Sequence, residues 1–261
     1  MILSRRIALG GDQLDQVNAA VVIRNIDPGV TKESVQAVSL WGGFGSRMAS
    51  QHWDSLEASV TYAILTHKND LATRRAVFDA VNKWANKKGW LTVNFMTGKR
   101  MYVDKVVLPD MGDPREWDAE FTITFRAYNV PFWQDGTPTT VTDTLVAGTE
   151  KTKTITAPGN TKTQLDISFT NTSGSSMSTF SVTIGGKTMS LTDLALANGE
   201  TLVITHGDDG RLRITEGTRN AYGKQTAGGL DDLILDPGGN TVKVTAGKAG
   251  NLSMSCCGRY I

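Results

Sequence analysis

The segment Phe125-Arg126-Ala127-Tyr128-Asn129-Val130-Pro131-Phe132-Trp133-Gln134-Asp135-Gly136-Thr137-Pro138 decides how this chain is read. Its first residues continue an alternation in which Phe121, Ile123, Phe125 and Ala127 are apolar and Thr122, Thr124 and Arg126 are polar. That is the period of a half-buried strand. The strand then runs into two prolines and a glycine. Proline fixes φ and lacks an N–H, so the stretch suits neither a helix interior nor a central strand. A strand ending in such a stretch predicts a domain boundary.

Composition changes across that boundary. All six tryptophans (Trp41, Trp53, Trp84, Trp90, Trp117 and Trp133) lie in the first 133 residues of 261. Threonine does the opposite, with 8 of 32 before Gln134 and 24 after it, and glycine rises from 9 to 18. Charge does not separate the halves, at +2 and −1. Two separately built domains are expected, 1–133 and 134–261.

The first half reads as α+β, a sandwich-like or split-barrel-like sheet with one helix. Val21–Ile26 is an apolar, β-branched run that ends at the turn Asp27-Pro28-Gly29. Leu56, Ala58, Val60, Tyr62 and Ile64 alternate with Glu57, Ser59, Thr61 and Ala63, a second half-buried strand. A helix follows, capped by Asn69 or Asp70, with Leu71, Phe78, Val81 and Ala85 on one stripe and Gly89 as its stop. Leu91–Met96 and Arg100–Leu108 flank Thr97-Gly98-Lys99, a hairpin signal.

The second half reads as β throughout. Candidate strands are Leu165–Asn171, Thr179–Ile184, Glu200–His206, Arg211–Thr215, Asp231–Leu235, Thr241–Ala246 and Asn251–Cys256, separated by turns such as Gly185-Gly186 and Asp208-Asp209-Gly210. Short strands at this spacing indicate a β-sandwich or jelly roll. Threonine suits a pleated, water-facing surface.

No catalytic or metal constellation stands out. His52, His67 and His206 are the only histidines, and no H-E-x-x-H spacing occurs. The G-x-S-x-G elbow of a serine hydrolase is missing. The Gly-rich stretch Gly42-Gly43-Phe44-Gly45-Ser46-Arg47 has neither the Lys-Ser/Thr of a P-loop nor a third fingerprint glycine, and reads as a loop. Asp208, Asp209, Asp231, Asp232 and Asp236 sit at turns without EF-hand spacing. Arg74, Arg75, Lys83, Lys87 and Lys88 give the helix a basic solvated face. Cys256 and Cys257 are adjacent, so in a strand they point to opposite faces; one buried and one exposed thiol are expected. No catalytic residue, cofactor or metal ligand is therefore assigned.

Composition excludes further classes. A formal net charge of +1 does not suit a protein that coats nucleic acid, and no sequence-specific nucleic-acid contact is expected. No apolar run approaches the ~20 residues a membrane helix needs, and the N-terminus lacks a signal-peptide pattern, so no membrane insertion is expected.

The order of these features resembles the distal tail protein of long-tailed bacteriophages, a baseplate hub component. An aromatic strand followed by Pro131-Phe132-Trp133, then Leu165–Asn171, Val182–Gly186, Gly199–Ile204, Leu233–Asn240 and Thr241–Val244, follows the family's texture across nearly the whole chain. Arg259-Tyr260 also matches the way many members end. Two departures are the long, Thr-rich stretch 137–162, which has room for an extra strand pair, and the lack of an inserted carbohydrate-binding module.

The resemblance implies a C-terminal galectin-like β-sandwich and an architectural role. Copies of the chain would form a homo-hexameric ring at the distal end of the tail, around the DNA path. The ring would join the tail tube protein to the tail-associated hub or tip protein and to a receptor-binding protein. The protein would be made in the host bacterial cytoplasm and reside in the virion. A closed ring needs two different patches per subunit. Tryptophans anchor such contacts, so Trp41, Trp53, Trp90 and Trp117 are the candidate subunit-contact residues, and Pro131, Phe132 and Trp133 the candidate interdomain junction. The alternative is a non-catalytic carbohydrate-binding β-sandwich. The absence of any Trp after Trp133, with Tyr222 and Tyr260 the only tyrosines there, counts against it.

Overall fold

The computed structural model describes residues 5–39, 46–67, 70–112, 119–226 and 233–261. The fold is mainly β with one α-helix and several antiparallel sheets. The chain divides into two compact units, Met1–Trp133 with Ile261, and Gln134–Tyr260.

In the first unit the strands are β1 (Ile7–Leu9), β2 (Asp12–Gln13), β3 (Val21–Asp27), β4 (Thr31–Ser39), β5 (Ser46–Ile64), β6 (Gly89–Val93), β7 (Lys99–Val103), β8 (Lys105–Val107) and β9 (Glu120–Ala127). One sheet runs β3-β5-β9-β8, with β4 also paired to β5. β5 has 19 residues. Its later part pairs with β3 and β9, while Ser46–Leu56 runs against β4 in register from Ser39↔Ser46 to Thr31↔Leu56. Only the later part carries the alternation legible in the sequence, and β4 carries no clear period, so both β4 and the first half of β5 escape a pattern search. β2, β1, β6 and β7 lie side by side in that order.

The helix α1 (Leu71–Ala85) is capped by Asp70, whose carboxylate accepts the Thr73 N–H at 3.0 Å. Asn69, the other candidate cap, lies outside the described residues. Val77, Phe78, Val81, Trp84 and Ala85 are buried, each aliphatic or aromatic side chain contributing roughly 1.5–3 kcal/mol as an upper estimate. Phe78 meets Phe121 at 5.0 Å and Trp84 meets Phe125 edge-on at 6.2 Å, which fixes the helix on the sheet. Three expectations fail. Leu71 is 39% exposed, because the first turn overhangs the core. Arg74 does not join the basic face: it is 2% exposed and its Nε donates to Thr66 Oγ1. The helix also ends at Ala85, short of Gly89.

β10 (Trp133–Asp135) crosses the boundary. The second unit then holds β11 (Thr139–Leu145), β12 (Lys151–Ala157), β13 (Thr163–Asn171), β14 (Phe180–Ile184), β15 (Lys187–Leu191), β16 (Thr201–His206), β17 (Leu212–Glu216), β18 (Arg219–Asn220), β19 (Ile234–Leu235), β20 (Gly238–Ala246), β21 (Gly250–Cys256) and β22 (Arg259–Tyr260). One sheet runs β11-β21-β13-β16-β17-β18, with β19 on β13, and the other β12-β20-β14-β15. One core cluster draws on both sheets, with Phe169 and Phe180 5.4 Å apart in it. β11 and β12 fill the Thr-rich stretch 137–162 with a strand pair. β15 was not legible as a strand, because Lys187-Thr188-Met189-Ser190-Leu191 has only two apolar positions. Asp231 and Asp232, at the start of another candidate strand, lie outside the described residues.

The register explains the threonine excess. Thr142, Ser253 and Ser168 stand opposite one another across β11, β21 and β13, and Thr188, Thr183 and Lys243 do so across β15, β14 and β20. These positions face water while their neighbours Leu252, Met254, Val182 and Val242 fill the core. A β-branched hydroxyl side chain meets both demands of such a surface.

Candidate assembly surface

The junction residues are held within the first unit. Phe132 is 6% and Trp133 3% exposed. The Thr31 hydroxyl donates to the Pro131 carbonyl at 2.5 Å, and the Trp133 indole N–H donates to the Pro28 carbonyl at 3.0 Å. Trp53 packs edge-on against Phe132 at 5.8 Å. Three of the sequence-derived residues, Pro131, Phe132 and Trp133, are therefore brought to the β3–β4 turn, with Trp53 beside them.

Gly29 makes that turn possible. Its φ is +69°, its N–H donates to Asp27 Oδ1 at 2.9 Å, and a Cβ there would strike the Glu57 carbonyl.

Trp90 sits elsewhere, on the face of the β6–β7 hairpin turned away from buried Leu91 and Met101. It stands in register with Tyr102, at 5.2 Å between rings, and the Arg100 guanidinium lies 4.0 Å over its ring. All three side chains are half-buried. Arg100 has no carboxylate partner among the described residues. Trp, Tyr and Arg are the residues that most often carry interface energy, and a cation over a ring holds the group in shape before any partner arrives. Tyr102 and Arg100 were not singled out from the sequence. The turn signal Thr97-Gly98-Lys99 does not find the pair, because it leaves Trp90 seven residues before the turn and Tyr102 three after it, whereas the observed pairing centres on Met96. Trp84 is buried, its indole N–H bonded to the Asp12 carbonyl at 2.9 Å. Trp41 and Trp117 lie outside the described residues.

The ionisable groups form structural pairs. His206 Nδ1 is 3.1 Å from Asp166 Oδ1, and the His206 backbone N–H donates to the same oxygen. His67 is exposed, and His52 lies in β5. Asp209 pairs with Arg213 at 2.9 Å and Asp236 with Lys162 at 3.6 Å. Glu216 is nearly enclosed: it takes Lys224 Nζ at 2.5 Å, the Ala195 N–H at 2.8 Å and Arg219 at 3.6 Å. Burial pushes its carboxyl up, but these three donors outweigh that and hold it below the usual carboxylate range. Among the described residues no group of three His, Cys, Asp or Glu could hold a metal. Neither cysteine is in a disulfide; Cys256 is buried and Cys257 partly exposed, and burial pushes the Cys256 thiol up to about 11.

Two hollows open on the described surface. One, about 550 Å³, opens between β2 and the second half of α1, with Gln13, Val17, Ala80, Lys83 and Trp84 around it. The other, about 430 Å³, lies on the outer sheet face, among Thr142, Thr144, Ser168, Thr170, Asn251 and Ser253. Neither brings together a nucleophile with a base or a pair of facing acids.

An antiparallel α+β unit is followed by a β-sandwich, and the described residues bring together clusters of aromatic side chains. The particular fold is that of a phage tail hub protein. The chain is similar along 98% of its length, and 99% of the other chain, to the Dit protein of phage SPP1, described as a paradigm of the hub adsorption apparatus in phages infecting Gram-positive bacteria, with a TM-score of 0.72 at 12% identity. It is also similar to a chain of the phage P2 baseplate in its activated conformation with calcium, with a TM-score of 0.51 at 10% identity over 97% of this chain and 98% of that one. No protein-family model matches the sequence, and no curated protein matches it.

Proposed function

We propose that this chain is a non-catalytic hub protein at the distal end of a siphophage-type tail. The observation that carries this reading is the end-to-end agreement of the fold with a phage hub protein, both units included, at an identity too low for chance similarity of sequence to supply it.

Six copies close a ring through the first unit, joining the tail tube protein to the tip protein. The second unit, a galectin-like sandwich, carries the receptor-binding protein. The cluster of Trp90, Tyr102 and Arg100 supports a repeated subunit contact, because it combines aromatic area with a guanidinium that has no carboxylate partner among the described residues, on a half-buried sheet face. The net charge of +1 fits a ring that must let DNA pass without retaining it. The protein resides in the virion after synthesis in the host bacterial cytoplasm. No helix among the described residues is long and apolar enough to cross a membrane.

Mass measurement in solution with negative-stain microscopy tests the ring. Alone or with its tail-tube partner, the protein should give closed particles of about six times 28.1 kDa. A strict monomer at high concentration that binds neither tail-tube nor tip protein would overturn the reading. Hydrolysis of peptidoglycan by the purified protein would overturn its non-catalytic part. The carbohydrate-binding alternative gains no support, because the outer faces of the second unit's sheets present hydroxyls and no aromatic ring among the described residues.

A further inference from the structure

β11 and β12 are the terminal strands of the two sheets of the second unit, and one turn, 146–150, joins them. Each is paired along all seven residues on one side, β11 to β21 and β12 to β20. Neither has a second strand neighbour among the described residues. A bare edge offers a row of backbone donors and acceptors to any other strand.

The core-facing positions of these two strands are where the sequence pattern breaks. Asp143 stands opposite Leu252, Lys153 opposite Val242 and Lys151 opposite Val244, all three partners being core residues. Apolar side chains continue the same rows, Val141 and Leu145 on β11, Ile155 and Ala157 on β12. Three charges therefore occupy positions where the alternation calls for apolar side chains. They meet one another: Lys153 Nζ is 2.6 Å and Lys151 Nζ 3.5 Å from Asp143 Oδ2. The Asp143 side chain is only 19% exposed. Outside them, Glu150 pairs with Lys243 at 2.9 Å.

The far edge of the second sheet is handled differently. β15 is covered by backbone bonds from the segment that follows β18, Thr226 N–H to the Ser190 carbonyl and Thr192 N–H to the Lys224 carbonyl. The β11–β12 side has no such backbone cover among the described residues and carries the charge cluster instead.

We propose that Asp143, Lys151 and Lys153 form an inward-facing charge clamp that closes the β11–β12 edge against strand addition by a second copy of this chain. An approaching strand would have to cover the cluster and strip it of water, a cost that grows as the pair loses solvent. Copies gathered in one assembly experience a high effective concentration, the condition under which an open edge is a hazard. The clamp is independent of the ring reading, since it lies in the second unit and is read at its own strands.

The test is hydrogen exchange of β11 and β12 amides, with sedimentation, on the full chain over a range of protein concentrations. Asp143→Asn with Lys151→Met and Lys153→Met removes the three charges at nearly constant shape. Asp143→Lys with Lys151→Asp and Lys153→Asp keeps them reversed. In the parent chain and the reversed variant, edge amides should exchange at rates that do not change with concentration. In the neutral variant they should become protected by tenfold or more at high concentration, together with a rise in mass. That protection at β11 and β12 separates edge pairing from ring formation. A folded neutral variant with exchange and mass identical to the parent overturns the clamp. So does concentration-dependent protection of these amides in the reversed variant, which also decides the matter if the neutral variant does not fold.

Discussion

The indole N–H of Trp133 donates a 3.0 Å hydrogen bond to the carbonyl of Pro28, 105 residues earlier in the chain. The bond ties the last residue of the first unit to the turn between β3 and β4, which Gly29 alone can make without strain. Trp133→Ala should cost about 3–5 kcal/mol through the lost core volume. Trp133→Phe, which keeps most of the ring, should cost roughly 1 kcal/mol from the bond and leave the Pro28 carbonyl short of a partner. Gly29→Ala should be destabilising by at least about 1–2 kcal/mol, because an L-residue is strained at that φ before it meets Glu57. Calorimetry on the three variants gives the order, and a fully stable Trp133→Ala chain would contradict it.

The second unit should fold without the first. Its chain ends meet: the Asp135 N–H donates to the Gly258 carbonyl at 2.9 Å, and the Tyr260 hydroxyl donates to the Asp135 carboxylate at 3.1 Å. Its core draws on both of its own sheets. A fragment of residues 134–260 is expected to be monodisperse and to melt cooperatively. A fragment that shows no sharp amide dispersion by NMR would refute the division.

Acid should destabilise the protein as pH falls below about 5. Glu216 is held low by Lys224, Ala195 and Arg219 against the opposing push of burial, Asp143 by Lys153 first and the Thr144 N–H next, and Asp70 by Thr73. A carboxyl whose folded pKa lies below its unfolded value, about 4 for these groups, contributes stability above that value. The contribution disappears as pH drops through the folded value. Glu216→Gln should therefore lower stability at neutral pH and flatten the acid limb of the stability curve. Chemical denaturation at several pH values checks both; a limb as steep as the parent's would exclude Glu216 as a contributor.

Assembly should depend on Trp90 and Arg100. Truncation at an interface anchor costs more than 1 kcal/mol, so Trp90→Ala should weaken self-association by about tenfold or more, and Arg100→Glu by at least as much. Both side chains are half-buried on a sheet face, so the fold should survive. Unchanged association in both variants would remove this face from the interface.

The two thiols should react unequally. Cys257 is partly exposed, while Cys256 is buried with its pKa pushed up to about 11, so little thiolate forms near pH 8. Mass spectrometry should find one label on the native protein and two in denaturant.

Much of the fold was legible because it rests on local period. The alternation in Leu56–Ile64 and Phe121–Ala127, the Asp70 cap and the strands Leu165–Asn171 and Asn251–Cys256 all reflect one buried face per element. β4 and the first half of β5 were not legible, because their sequences carry no clear apolar period; their pairing with each other reveals them. Arg74 shows a related failure: it reads as one more surface cation, yet it is buried beside Thr66, a group outside the helix.

By itself the sequence carried the contrast between a Trp-bearing half and a Thr-rich half, from which a boundary after Trp133 is expected, and the alternating periods of the main strands. These depend on residue type and short-range order. Only the tertiary structure decided which aromatics are core and which lie on a face. Trp84 and Trp133 are buried, whereas Trp90 stands half-exposed under Arg100. The same applies to Asp143, Lys151 and Lys153, which look like unrelated surface charges until register puts them on the core-facing rows, with Asp143 largely covered. Burial and charge pairing belong to positions brought together from distant parts of the chain, and no local pattern carries that information.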